Sequence, residues 1–201
     1  MSNAPETVKP TITHGFTPEE REIAALLFWQ AFRNKLSPVL APEDKAIRFL
    51  TTAMRPDFAI AARGTGGQLL GLAGIKTGHG GLFGGGLRDL ARVYGALGAL
   101  WRGALLSRLE RRVMPESLLM DGIFVAEEAR GLGVGSALLN AVKAQARADG
   151  LQSVQLDVID SNTRARALYE RHGFVACDVT HIGPLRHLFG FHSSTEMRCT
   201  L

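Results

Sequence analysis

The chain has 201 residues, of which 46% are hydrophobic and 21% charged, and its formal net charge is +4. This composition is typical of an ordinary globular protein with one sizeable core. The basic residues form no dense run of the kind that follows a nucleic-acid backbone. Arginines interrupt every apolar stretch before it reaches the length of about 18 residues that a membrane span requires. Composition therefore argues against a nucleic-acid-binding or membrane-spanning protein, and the mild positive charge favours anionic small ligands.

Two cysteines, Cys177 and Cys199, do not make a disulfide framework. Because the N-terminal residues show no secretory signal, we expect both to be reduced thiols in the cytoplasm, buried as small apolar groups in strands. His181, His187 and His192 follow near the C-terminus. Their spacing fits no metal site, so we predict no metal.

The first half of the chain predicts strands and helices after about ten polar residues. Thr17 is a candidate N-cap, with Pro18 behind it at the first helical position, and the GTGG sequence at 64–67 indicates a hairpin turn. The predicted elements are a strand over 11–14, a helix from 17 to about 32, a helix over 41–54, and a hairpin of strands 57–63 and 68–76.

A glycine-rich stretch at 78–86 precedes a predicted helix from Leu87 to about residue 112. Apolar residues recur in it at steps of three and four, which predicts one apolar face; they are Leu90, Val93, Leu97, Leu100, Trp101 and Leu105. We expect this face to pack as a lid over a substrate cleft or against a second copy in a homodimer, with the glycines as a hinge. The arginines between them leave a membrane surface or another partner as the alternative.

The second half alternates strands and helices. A buried strand over 118–125 leads through a glycine turn into a helix from about Gly135 to Asp149, with Leu138, Leu139, Val142 and Ala146 on one face. A strand over 153–159, a helix over 162–174 with Asn162 as its candidate N-cap, and strands over 174–182 and 194–201 follow. This order predicts a mixed α/β sheet with helices packed on it.

The glycine turn has the sequence RGLGVG, from Arg130 to Gly135. A helix start leaves backbone N–H groups without partners, and these attract anions. Glycines let a ligand approach the main chain, and Arg130 adds a positive charge. The turn is therefore a candidate phosphate cradle, although a flexible turn or tight packing of the helix on the sheet explains the glycines equally well. The spacing fits neither the Rossmann fingerprint nor the P-loop.

Two stretches together resemble the GNAT superfamily of N-acetyltransferases. IFVAEEARGLGVGSALL (123–139) is similar to the acyl-CoA-binding motif of that family, and LDVIDSNTRARALYERHGF (156–174) is similar to its second motif. The resemblance implies a GNAT-like acyl-CoA-binding fold in a single acetyltransferase domain, 1–201. Residues 78–116 would then form a Gly-rich and helical insertion between the third and fourth strands.

The resemblance implies acetyl-CoA as co-substrate and assigns residues to it. The backbone at Ile123, Phe124 and Val125 would pair with the pantetheine arm, and Asn162 and Ala165 would line the far side of the cofactor. The pyrophosphate would be held by Arg130, Gly131, Leu132, Gly133, Val134, Gly135 and Ser136. Tyr169 would lie near the thioester sulfur and act as general acid, with an amphipathic helix residue whose hydroxyl lies at the surface as the structural alternative.

Amine acetylation also requires a base for the attacking amine and a hydrogen-bond donor for the oxyanion. Asp121 lies four residues before Val125, so strand alternation predicts one face for both. Asp121 is thus the candidate base, or else a structural carboxylate. The implied activity is transfer of an acetyl group to a primary amine of a small molecule or peptide. A non-catalytic acyl-CoA-binding module on the same fold is the alternative.

Overall fold

The computed structural model describes residues 9–108 and 113–201. The described strands form one sheet in the order β1-β2-β3-β5-β6-β8-β7, with β4 paired to β3, and β5–β6 is the parallel pair in this sheet. The strands are β1 Thr11–His14, β2 Ala59–Arg63, β3 Leu69–Thr77, β4 Gly80–Gly81, β5 Ser117–Val125, β6 Ser153–Ile159, β7 Val175–His181 and β8 Ser193–Thr200. The predicted mixed α/β fold is confirmed.

The first five helices follow the predicted order: α1 Arg21–Leu40, α2 Glu43–Ala53, α3 Leu87–Ser107, α4 Val134–Ala148 and α5 Thr163–Arg171. The short helix α6, Arg186–Phe189, was not predicted. The prediction for α1 was wrong at both ends. The helix begins at Arg21 because residues 18–20 form a turn, and it continues through Pro38. Its last part is held by the buried side chains of Leu36, Val39 and Leu40, whose packing offsets the missing proline N–H.

Helices α1 and α4 lie on opposite faces of the sheet. Phe124 of β5 packs edge-on against Phe28 of α1, with ring centroids 5.4 Å apart. On the other face, Ile12 and Ile60 line a shallow pocket with Ala141 of α4. The predicted apolar face of α4 is confirmed, because its residues Leu138, Leu139, Val142 and Ala146 are all buried.

The glycine-rich stretch 78–86 is anchored, which argues against the expected hinge. Gly80–Gly81 pairs back onto β3, and Leu82 is fully buried, with its N–H donated to the carbonyl of Ile75 at 3.1 Å. The N–H of Gly84 donates to the carbonyl of Ala53 at 2.9 Å. A Cβ on Gly85 would lie 2.6 Å from the Cβ of Ala53, so this glycine allows close packing on α2.

Helix α3 is broken, contrary to the prediction of one continuous amphipathic helix. Gly95 has φ +74° and ψ 167°, backbone angles far outside the helical region. In a straight helix Leu87 and Gly103 would be about 24 Å apart, yet a Cβ on Gly103 would lie 2.5 Å from Cδ2 of Leu87. The two halves therefore fold back on each other, and the predicted end near residue 112 lies outside the described residues.

Both cysteines are free, but only one is buried. Cys199 in β8 is 7% exposed, as predicted. The prediction for Cys177 was wrong, because every residue of the edge strand β7 is exposed on both faces. Within the described parts of the chain, no helix is long and apolar enough to cross a membrane.

Candidate functional site

Strands β5 and β6 separate halfway along their length. Their parallel register runs from Ser117 opposite Ser153 to Met120 opposite Leu156. Beyond this point β6 continues its pairing with β8 as far as Ile159, and β5 continues with β3 as far as Val125. The carboxyl ends of the two parallel strands thus open into a cleft whose walls are strand edges.

The main chain of β5 directs its polar groups into this cleft at alternate residues. The N–H of Ala126 donates to the carbonyl of Leu70 at 2.9 Å, so Phe124 and Ala126 bond toward β3. In an antiparallel pair the residues between them direct N–H and C=O the other way. Ile123 and Val125 therefore present their peptide groups to the cleft, and Val125 accepts a hydrogen bond from Nε of Arg130 at 3.3 Å.

Asp121 lies at a β-bulge where the cleft begins. Gly122 pairs with Gly74 but Met120 pairs with Ile75, so Asp121 is the extra residue in β5. A bulge interrupts alternation, which invalidates the argument that Asp121 and Val125 share a face because they are four residues apart. After the bulge Gly122 faces α1, since a Cβ there would lie 2.7 Å from the ring of Phe32. Asp121 is exposed and directly follows Met120, the last residue of β5 that pairs with β6.

The glycine turn joins β5 to α4 and leaves the start of α4 open. Gly131 and Gly133 both have φ +85°, a left-handed conformation that favours glycine. Gly133 is the N-cap of α4 and no side chain caps the helix. The N–H groups of Val134, Gly135 and Ser136 therefore point out of the first turn, as an anion site requires.

Gly135 has a different role from the other two glycines. It is helical, and a Cβ there would lie 3.3 Å from Cδ2 of Leu168 in α5. Close packing between two helices, rather than the packing on the sheet considered from the sequence, thus explains the third glycine. Backbone conformation explains the first two. Arg130 is exposed at the rim of the turn and Leu132 is half-buried.

Helix α5 is fixed against the glycine turn by a contact that the sequence did not indicate. Nε2 of His172 lies 3.0 Å from Oγ of Ser136, and the carbonyl of His172 accepts a hydrogen bond from Nζ of Lys143 at 3.1 Å. Burial, followed by the charges of Lys143 and Arg171, lowers the pKa of His172. The neutral imidazole therefore bridges the two helices at neutral pH.

The predicted residues of the second motif lie on α5. Asn162 is the N-cap, as its residue type predicts, and its Oδ1 accepts from the N–H of Ala165 at 3.1 Å. Tyr169 is 6% exposed and packs on Phe174 at 5.9 Å between ring centroids. Burial raises the pKa of Tyr169 to about 12, so the phenol keeps its proton throughout the neutral range.

Sequence reasoning missed a row of carboxylates next to the cleft. The register aligns Asp157 of β6 with Glu196 of β8, and Glu196 with Asp178 of β7. Asp157 is the first residue of β6 beyond its pairing with β5. These three carboxylates lie on three different strands, so only the order and register of β6, β8 and β7 bring them together.

The three histidines near the C-terminus, His181, His187 and His192, are not brought together. His181 ends β7, His187 lies in α6, and the N–H of His192 donates to Oδ2 of Asp160 at 3.1 Å. All three are exposed. Helix α6 packs beside α1, where Nζ of Lys35 lies 5.6 Å from the centroid of the Phe191 ring.

A mixed sheet whose parallel strands open beside a glycine turn and an uncapped helix start is the arrangement that the two motifs predict for a GNAT-like fold. The sequence model of the Acetyltransferase (GNAT) family matches residues 16–174. The chain belongs to this family, and with it to the acyltransferases.

Solved structures of low sequence identity share the fold. An N-acetyltransferase from Staphylococcus aureus Mu50 is 14% identical, with a TM-score of 0.64 over 94% of this chain and 99% of that one. A structure from Corynebacterium glutamicum ATCC 13032, a histone acetyltransferase HPA2 and related acetyltransferase, is 21% identical, with a TM-score of 0.64 over 94% of each chain. A GCN5-related N-acetyltransferase from Kribbella flavida is 17% identical, with a TM-score of 0.61 over 98% and 100%.

Proposed function

We propose that the protein transfers the acetyl group of acetyl-CoA to a primary amine by direct attack. The observation that carries this proposal is the cleft between β5 and β6, which ends at an uncapped helix start. An extended ligand with a diphosphate at one end and an amide-containing arm matches both parts of this surface. The amides would pair with the strand edge, and the diphosphate would accept from the helix N–H groups.

The cofactor site would comprise two sections. Ile123 and Val125 supply peptide groups for the pantetheine arm, as the alternation of β5 supports. The turn from Arg130 to Ser136 holds the diphosphate, and space around Gly131 supports this assignment because nothing lies within 4 Å of a Cβ placed there. Asn162 and Ala165 would line the opposite side, where the Asn162 side chain also caps α5.

The reaction forms a C–N bond and breaks a C–S bond. The amine nitrogen attacks the thioester carbon, and the oxyanion that forms needs a donor such as an N–H of β5 near the bulge. When the C–S bond breaks, the sulfur leaves as a thiolate that must be protonated. Tyr169 is the proposed donor, because burial keeps its phenol protonated.

The raised pKa also limits what Tyr169 can contribute. A phenol with a pKa of about 12 is a weaker acid than a thiol, whose pKa is about 8.5. Complete proton transfer to the thiolate is therefore uphill, and the hydroxyl acts mainly by hydrogen-bonding the developing charge. We expect its effect to fall at the lower end of the about 10²- to 10⁴-fold typical of acid–base groups.

Two carboxylates are candidates for the base. Asp121 lies at the bulge of β5, and Asp157 lies at the opposite wall of the cleft on β6. Either carboxylate can accept the amine proton directly or through water. Replacing each by Asn distinguishes them. Loss of the acidic limb, where kcat/KM falls as the pH is lowered, identifies the base. A structural carboxylate changes stability and leaves this limb in place.

The carboxylates beside the cleft also support a cationic acceptor. Asp157, Glu196 and Asp178 form a row, and Arg198 pairs with Glu196 at 3.0 Å. The three carboxylates outnumber this one arginine, and the net negative charge attracts an ammonium group before it loses its proton. The negative charge of this row favours an acceptor whose amine belongs to a small molecule or a peptide. Two statements about segment 78–116 remain predictions: that it is an insertion, and that it covers the acceptor.

The test is release of free thiol from acetyl-CoA in the presence of a library of amines. Steady, amine-dependent release with acetylated nitrogen in the product supports the enzyme. Tight CoA binding without release by any amine would instead support the non-catalytic module on the same fold. Absence of CoA binding in calorimetry would contradict both.

A further inference from the structure

Exposed apolar side chains and positive charge are concentrated on the same element, α3. Four large apolar residues of α3 are exposed: Leu87 at 54%, Leu97 at 82%, Leu100 at 60% and Trp101 at 44%. From Leu87 to Arg108 the sequence has four arginines and one aspartate, a net charge of +3 out of +4 for the chain. Neither property belongs to the site described above, so α3 needs its own explanation.

The second half of α3 turns its apolar side outward. Leu97, Leu100, Trp101 and Ala104 recur at steps of three and four and are all exposed, whereas Ala99 on the other side is 2% exposed. We name these four residues the α3 stripe. The stripe arises from the break at Gly95, because a continuous helix would have carried the same residues on the face that holds the buried Leu90.

The stripe is held in place rather than loosely attached. The hydroxyl of Tyr94 donates to the carbonyl of Leu40, which fastens the first half to the end of α1. The guanidinium of Arg102 lies 4.0 Å from the ring centroid of Tyr94 and 4.1 Å from that of Trp101, which joins the two halves. A fixed, contiguous apolar surface of this kind usually marks a contact with another body.

The charges around the stripe select the nature of that body. Arg108 follows Ala104 by four residues on the same side, and Arg88 and Arg92 are exposed on the first half. Two copies meeting through this surface would bring like charges together. A nucleic acid would satisfy the arginines but not the leucines. An anionic lipid surface interacts favourably with both kinds of residue, because the leucines are buried among the acyl chains and the arginines pair with the anionic headgroups.

We propose that the α3 stripe binds reversibly to anionic lipid surfaces. Leu97, Leu100 and Trp101 enter the boundary between headgroups and acyl chains, and Arg88 and Arg108 contact the headgroups. The helix lies in the plane of the interface and does not span it. This inference is independent of the proposed acetyl transfer.

The two tryptophans allow a direct test in the intact protein. Trp29 is 3% exposed and Trp101 is 44% exposed, so transfer into lipid changes the emission of Trp101 and leaves that of Trp29 constant. We expect a blue shift with vesicles of equimolar phosphatidylcholine and phosphatidylglycerol. Salt should reduce the binding, because the charges are exposed, and vesicles of phosphatidylcholine alone should bind at least about 10-fold more weakly.

Variants separate the apolar and the charged contributions. L97S/L100S should lower partitioning into the anionic vesicles at least about 10-fold, because the variant loses the favourable free energy of burying two leucine side chains in the lipid. R88Q/R108Q should lower it about 10-fold or more and remove most of the salt dependence. V175S/V179S is the matched control, since it removes two exposed valines from β7, and should bind as the parent does.

Unchanged Trp101 emission with anionic vesicles overturns the proposal without reference to any variant. A parent dimer that L97S/L100S converts to a monomer, in the absence of lipid binding, also overturns it and assigns the stripe to a second copy. Binding to polyglutamate but not to the vesicles overturns it in favour of an acidic protein surface.

Discussion

Gly133→Glu tests the candidate diphosphate site at its centre. Gly133 caps α4 with φ +85°, so a side chain there strains the backbone by about 1–2 kcal/mol. The glutamate carboxylate would also accept from the N–H groups of the first helical turn, which the diphosphate would otherwise use. Each charge-assisted bond is worth about 1.5–3 kcal/mol, so loss of two of them weakens CoA binding by at least about 100-fold.

Gly150→Glu is the control for strain and charge. Gly150 lies at the other end of the same helix with φ +72°, and nothing lies within 4 Å of a Cβ placed there. Both variants should lower Tm by similar amounts, while isothermal titration calorimetry with CoA should detect a loss of affinity only in Gly133→Glu. If the two variants bind CoA equally well, the diphosphate does not lie at the start of α4.

Three further changes test other parts of the structure. Tyr169→Phe should lower kcat by about 10²-fold with unchanged CoA affinity; an unchanged kcat, where chemistry limits the rate, removes Tyr169 from the mechanism. The pKa of His172 is lowered from 6.5, so its contribution to stability is complete above pH 6.5 and is lost as the pH falls through the folded-state pKa. Urea unfolding of His172→Gln should therefore depend less on pH over that range, and an identical dependence would refute the assignment. Replacing Cys177 and Cys199 by Ala should preserve kcat, whereas loss of turnover in a well-folded double variant would indicate a covalent route.

The order of the elements could be predicted from the sequence because the periodicities are strong and local. The apolar positions of α4 and the cap at Asn162 depend on residues within one or two turns, and both are confirmed. The motifs that resemble the GNAT family are local in the same sense, and the family assignment is confirmed. The roles of the individual site residues are predictions that the experiments above address.

Features that depend on contacts between distant segments could not be predicted. The bulge at Asp121 is defined by the register with β3, and the separate role of Gly135 is defined by Leu168 on another helix. Gly95 gave no signal that distinguished it from Gly98 or Gly103, because each glycine weakens a helix by a similar amount. The break at Gly95 became visible only with the fold, and it determined which side of α3 faces outward.

The close approach of α5 to α4 at Gly135 has a consequence for substrate choice. In the proposed complex, the contact of Leu168 with Gly135 sets the distance between the diphosphate end of the site and Tyr169, two places that lie on different helices. The arm between diphosphate and sulfur has the same length in every acyl-CoA. The distance between the diphosphate site and Tyr169 therefore does not distinguish one acyl-CoA from another. In that complex, discrimination between acyl chains would arise beyond the sulfur, on the side where Gly122 leaves room for the ring of Phe32. The aromatic residues of α1, rather than the glycine turn, would limit the length of the acyl group.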